Sequence, residues 1–172
     1  ARWGAARRIG EVRAMAADPS LGAIRFRAMG RLDLDTVVKI ETESYEFPWL
    51  RRTFDDCLTA SYECWIGELL GREEPDEIMG YGILHVSANE AHLLNICVKK
   101  QSEGCGFGRD IVDYLIDRAK AKRAKTMFLE VRPLNAVARE LYDSVGFRQI
   151  GIRKGYYPAL EGREDGLVLA LS

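Results

Sequence analysis

Four cysteines, two histidines and five prolines are all that this 172-residue chain holds of the residues that staple, ligate or kink a fold. Cys57, Cys64, Cys97 and Cys105 form no C-x-x-C pair. Neither a zinc knuckle nor a disulfide framework is indicated, and reduced thiols fit best. His85 and His92 are the only histidines and sit in strand-like patterns, so no Ser or Cys has an evident His partner for covalent catalysis. No apolar run approaches the ~18 residues that span a bilayer, and the start of the sequence lacks the apolar stretch of a secretory signal. A net charge of −1 argues against a protein whose whole surface binds nucleic acid. These absences predict a soluble, cytoplasmic protein with no membrane partner and no metal.

What is present is enough apolar content, 47%, for one well-buried domain. The charge is uneven. Arg2, Arg7, Arg8, Arg13, Arg25, Arg27 and Arg31 face only Glu11 and Asp18 in the first stretch. Residues 1–20 have no sustained apolar face and are expected to form a flexible Arg-rich arm, and direct nucleic-acid binding is not expected anywhere else. The domain is expected over 21–172.

Ile24–Ala28 alternates as a strand does, and Asp33 is placed to cap a helix with Leu34, Val37, Val38 and Ile40 at helical spacing. A second short helix is expected over Arg51–Leu58. Tyr62–Leu69, Ile78–Ser87 and Ala91–Val98 form an antiparallel meander, with turns at Arg72–Asp76 and Asn89-Glu90. Ile111, Val112, Leu115, Ile116 and Ala119 give the next helix one apolar face. Thr126–Val131 is a strand, Asn135 caps a helix that stops at Gly146, and Phe147–Ile152 and Leu167–Leu171 complete the set.

The feature with chemical content is Glu103-Gly104-Cys105-Gly106-Phe107-Gly108-Arg109, a glycine bend at a helix N-terminus. There, backbone N–H groups converge and can hold a phosphate. An ordinary turn is the plain alternative. The dinucleotide fingerprint needs its glycines directly after the strand, whereas Lys99–Glu103 intervene here. A P-loop is excluded for want of G-K-[ST].

The bend resembles the acetyl-coenzyme A signature of the GNAT superfamily, [Q/R]-x-x-G-x-[G/A]. It can be laid on the chain in two registers: from Gln101 it matches in full, and from Glu103 it departs at its first position but gives the better distances to Val98 and Ile111. Leu129-Glu130-Val131-Arg132-Pro133-Leu134-Asn135, Leu141-Tyr142, Gly146-Phe147, Tyr156-Tyr157-Pro158 and Gly162-Arg163-Glu164-Asp165 follow in order. Phe47-Pro48-Trp49 and Leu94-Asn95-Ile96-Cys97-Val98 precede them. Together, over about Ile24–Leu171, these resemble the ribosomal-protein alanine N-acetyltransferase family, RimI.

The resemblance implies an α/β (α+β) GNAT fold: a central, mixed, mostly antiparallel twisted sheet of about seven strands flanked by about four helices. It implies an N-terminal protein acetyltransferase that moves acetyl from acetyl-CoA to the α-amino group of an N-terminal alanine on small-subunit ribosomal protein 18, in one ternary complex. Glu130 would be the general base and Tyr142 the general acid. Ile96, Cys97 and Val98 would pair with the pantetheine arm. Glu103, Gly104, Cys105, Gly106, Phe107, Gly108 and Arg109 would hold the pyrophosphate, and Asn135 would orient the cofactor. The Glu103 carboxylate adds negative charge there, with Lys99, Lys100 and Arg109 nearby. Phe47, Trp49, Tyr156 and Tyr157 would line the peptide entrance, adjacent tyrosines in a strand pointing to opposite faces. Acetylation of a small amine such as a polyamine or antibiotic is the nearest alternative. A non-catalytic RNA or ribosome-binding module is the alternative from another class.

An α-amine with pKa ~7.8 is about 14% neutral at pH 7, against about 0.04% for a lysine amine near 10.4. One carboxylate is therefore enough help for an N-terminus. Taken alone, Glu130 also fits a surface carboxylate paired with Arg132, and Tyr142 fits core packing beside Ala138, Leu141 and Val145.

Overall fold

The computed structural model describes residues 13–14, 23–70 and 77–172. The charged turn expected over Arg72–Asp76 lies outside them, as does the arm apart from Arg13–Ala14. Eight strands form one sheet in the order β1-β2-β3-β4-β5-β6-β8-β7. They are β1 (Arg13–Ala14), β2 (Ala23–Ala28), β3 (Glu63–Leu69), β4 (Glu77–Ser87), β5 (Glu90–Val98), β6 (Thr126–Val131), β7 (Arg148–Pro158) and β8 (Arg163–Leu171). The helices are α1 (Leu34–Ser44), α2 (Arg51–Thr59), α3 (Phe107–Ala121) and α4 (Ala136–Val145). Every pairing is antiparallel except β5 with β6. That exception follows from α3, whose length carries the chain back along the sheet before β6 begins.

The apolar stripes sort the helices onto two faces. Phe107, Ile111, Val112 and Leu115 of α3 pack with Tyr142 of α4 and with Leu93, Met127, Leu129 and Val131 of the sheet. Leu34, Val37 and Ile40 of α1 and Phe54 of α2 form a second cluster with Ile66, Tyr81 and Ile83. Strand alternation explains the division, since Tyr81 and Ile83 point one way while Gly80 and Gly82 leave room for α3 on the other.

That room is tight. A Cβ at Gly80 would stand 2.5 Å from the Cys97 carbonyl oxygen and 2.9 Å from Ile111 Cδ1. We expect Gly80→Ala to destabilise the fold by about 1–3 kcal/mol, because the clash is with the β5 backbone and not only with a side chain that can swing away. Urea unfolding checks this, and an unchanged midpoint would refute it.

Asp33 departs from its expected role. Its carboxylate makes no cap to α1. It accepts instead from the Gly30 N–H at 2.7 Å and from both terminal nitrogens of Arg27, each at 2.7 Å. The Arg27 guanidinium thereby holds the Asp33 carboxyl below its usual range. Among the described residues no helix is long and apolar enough to cross a membrane, and no group of three or more His, Cys, Asp or Glu side chains could hold a metal ion.

Candidate active site

The sheet opens in the middle. β5 and β6 pair only from Glu90↔Thr126 to Leu93↔Leu129, although both strands run on. The cause is visible on the other side of β5, where Ile83 pairs with Asn95 and Leu84 with Leu93, leaving Leu94 without a partner. An extra residue of this kind bends the strand and increases its twist, so β5 turns away from β6 and a gap opens beyond the bulge.

The polarity of the gap wall follows from strand geometry. The Lys99 N–H bonds Met79 O at 2.7 Å, so the odd-numbered residues of β5 address β4. The backbone groups of Ile96 and Val98 then face the gap. The Tyr45 hydroxyl donates to Ile96 O at 2.7 Å from that side.

On one face the gap is bounded by the end of β6, the loop between α1 and α2, and the β7–β8 hairpin. Glu130 alternates with the core residues Leu129 and Val131, so its carboxylate lies on the opposite face from α3. There Glu130 Oε1 accepts from Arg153 Nη1 at 2.8 Å, and its side chain is 16% exposed. The expected surface partner, Arg132, is engaged elsewhere: it bonds Glu164 at 2.7 Å and lies over the rings of Tyr157 and Phe47, at 4.4 and 5.7 Å.

Tyr156 and Tyr157 do not point to opposite faces as alternation requires. Their rings meet edge to face at 4.8 Å. Register is lost between Arg153 and Tyr157, and Gly155 has a φ of 56°, so the strand bulges and both rings settle over Gly166, where a Cβ would be only 3.1 Å from Tyr156. Arg153 lies over Tyr156 at 5.0 Å. Trp49, by contrast, turns its ring onto Phe54 in the core, 5.5 Å away, and offers the entrance only part of its surface.

From the other face comes Tyr142. It is 5% exposed and packs edge to face on Phe147 at 5.7 Å. Burial alone raises its pKa above the ordinary phenol value. Tyr142 acts electrostatically on both Tyr45 and Tyr157, and Glu130 acts on Tyr157, so the sheet does not isolate these groups from one another.

Beside the gap, α3 begins as the glycine bend requires. Gly106, at φ 92°, is its N-cap and supplies no side-chain cap. Among the described residues the first bonded N–H groups are those of Arg109 and Asp110, both to Gly106 O. Those of Phe107 and Gly108 are left for a ligand. Gly108 sits against Val98 and Leu141, and the helix starts at Phe107, between Gly106 and Gly108. A diphosphate fits this uncapped, glycine-lined start. The side chain of Phe107 is core, so only its backbone is available. Glu103 is exposed, and Cys105 is a half-buried free thiol.

Nearby cations are largely committed. Lys99 pairs with Glu77, and Arg109 reaches Asp113 and Ser144, the latter at 2.9 Å. Asn135 Oδ1 accepts from the Ala138 N–H at 3.1 Å, so the carboxamide oxygen caps α4. The Cys97 thiol, buried in the cluster beneath α1, is pushed up to about 12 by burial and is no nucleophile at neutral pH. The histidines lie at the far end of β4 and β5, tilted against the rings of Tyr62 and Phe128.

Reasoning from sequence missed two residues here. Glu41 is 1% exposed, and its Oε1 accepts from the Trp49 N–H at 2.8 Å and from Asn95 Nδ2 at 3.3 Å, while Oε2 accepts from the Tyr81 hydroxyl. Its signal was a carboxylate on the same helical stripe as Leu34 and Val37. Tyr45, half-buried at the end of α1, carried no such signal.

Comparison with known proteins agrees with this geometry. Residues 34–147 match the Acetyltransferase (GNAT) family. The [ribosomal protein bS18]-alanine N-acetyltransferase of Escherichia coli K12 is 35% identical over 139 residues, which cover 81% of this chain and 90% of the relative. The enzyme of the same name from Haemophilus influenzae is 35% identical, covering 80% and 91%. The crystal structure of the E. coli ribosomal-protein-S18-alanine N-acetyltransferase superposes with a TM-score of 0.76 at 32% identity, covering 86% of this chain and 92% of that one. Ard1 from Thermoplasma volcanium, at 18% identity and a TM-score of 0.74, shares the fold. With the split sheet, the uncapped glycine bend and these relatives in agreement, the chain belongs to the GNAT family of acetyltransferases and is an N-acetyltransferase that uses acetyl-CoA.

Proposed function

We propose that this enzyme acetylates the α-amino group of an N-terminal alanine, with small-subunit ribosomal protein 18 as its protein substrate. The observation that carries the reading is the strand edge of β5 that β6 leaves unpaired beyond Leu93, with Glu130 and Tyr142 both acting on Tyr157 from opposite faces of the sheet. The names of the relatives supply the substrate class.

Acetyl-CoA, when bound, supplies an activated thioester. Phe107 and Gly108 N–H groups would hold its pyrophosphate, and Ile96 and Val98 would address its amide-bearing arm. Glu130, with one oxygen on Arg153, uses the other to take the proton of the incoming ammonium, directly or through a water. Tyr142, a phenol and so protonated at neutral pH, donates to the sulfur as negative charge develops there. Transfer is direct, within a ternary complex, since both histidines sit at the far end of β4 and β5 and none is there to activate a thiol at the site.

The test is an acetylation assay over peptides that differ in their first residue, with polyamines alongside. Alanine-first peptides carrying the start of the ribosomal protein are expected to turn over fastest. Preference for a polyamine, or indifference to the first residue, would overturn the reading.

A further inference from the structure

The loop between α1 and α2 is fastened to β5 at two points, and both fall on the stretch of β5 that borders the gap. Tyr45, at the start of the loop, donates to Ile96 O at 2.7 Å. Trp49, near its end, donates its N–H to Glu41 Oε1 at 2.8 Å, and the same oxygen accepts from Asn95 Nδ2 at 3.3 Å. Tyr81 of β4 completes the carboxylate from its other oxygen. A carboxylate buried to this depth is tolerable only when its oxygens are matched by donors. Here the donors come from the loop, from β4 and from β5, so Glu41 joins three parts of the site.

An ordinary structural tie could use any backbone group of β5. The Tyr45 tie uses the carbonyl that faces the gap, on the side that β4 leaves open. Burial keeps the Tyr45 phenol protonated, so it is a donor throughout the neutral range.

We propose that Tyr45 and Glu41 are positioning residues for the transfer reaction: they lock the acceptor-side loop carrying Phe47 and Trp49 to the strand edge that receives the donor. The inference rests on the functional reading above. Its consequence is a division of labour. Removing the Tyr45 hydroxyl cuts one of the loop's two ties, while the glycine bend and the Val98 backbone remain as they were. The acceptor should suffer and the donor should not.

The experiment measures steady-state kinetics of Tyr45→Phe and Glu41→Gln with an alanine-first peptide, together with calorimetric CoA binding and thermal melting. For Tyr45→Phe the peptide KM is expected to rise about five- to tenfold, the range that one lost neutral hydrogen bond produces. The CoA dissociation constant should stay within about twofold, since the glycine bend and Val98 are untouched and Ile96 loses only the bond from the Tyr45 hydroxyl. Glu41→Gln should shift peptide KM in the same direction, and the double variant should fall short of the product of the singles, because both act through one loop. An unchanged peptide KM in Tyr45→Phe would overturn the inference, as would equal weakening of peptide and CoA with a lowered melting temperature. Failure of the unaltered enzyme to use alanine-first peptides would instead overturn the functional reading, so the two failures are separable.

Discussion

Glu130→Gln is expected to lower kcat/KM for an alanine-first peptide about a hundredfold at pH 7, the lower part of the range for losing a general base. The substituted carboxamide retains an oxygen where Oε1 accepts from Arg153, and β6 still pairs Leu129 and Val131 with β8, so the fold should hold. What is lost is the second carboxylate oxygen as a proton acceptor. The remaining rate should then follow the fraction of amine that is already neutral. For an α-amine of pKa ~7.8 this fraction climbs from about 14% at pH 7 to about 94% at pH 9, so the variant should recover about sevenfold over that interval. A parallel circular dichroism melt separates chemistry from unfolding. Full activity of Glu130→Gln at neutral pH would remove Glu130 as the base and leave its bond to Arg153 as its whole role.

For Tyr142→Phe the expected result is a kcat reduced about 10- to 100-fold, with CoA binding retained. Stability supplies the discriminating measurement. The ring packs on Phe147 and within the cluster around α3, and a phenylalanine ring fills the same space. Burial is the cause of the raised Tyr142 pKa, with no hydrogen bond contributing to it, so deleting the hydroxyl leaves no buried partner unmatched. The melting temperature should be unchanged or slightly higher while turnover falls. A variant that melts early and turns over normally once folded would return Tyr142 to packing alone.

Much of this site was legible in the sequence because it rests on local rules. The glycine bend is local, since Gly106 needs a left-handed φ and α3 must follow it at once. The meander of β3, β4 and β5 announces itself by alternation, and Asn135 caps α4 as its position predicts. What stayed hidden arises between elements. The bulge at Leu94 is a property of register, and Leu94 itself looks like any strand residue. The partner of Glu130 is Arg153, across the sheet on β7, and no spacing distinguishes it from Arg132. Tyr156 and Tyr157 broke the alternation rule because Gly155 bends the strand just before them. Glu41 was visible as a charge on an apolar stripe, but its meaning depends on Trp49, Tyr81 and Asn95 arriving from three directions.

The short pairing of β5 with β6 also bears on solubility. Two strands that part inside a sheet create an edge in its interior, and an uncovered edge is a template onto which any extended chain can add. In this molecule the template is narrow, since Tyr45 already holds the Ile96 carbonyl and the β7–β8 hairpin stands beside it. A ligand whose amides line up with Val98 is admitted there, whereas a stray β-strand would have to displace the phenol first.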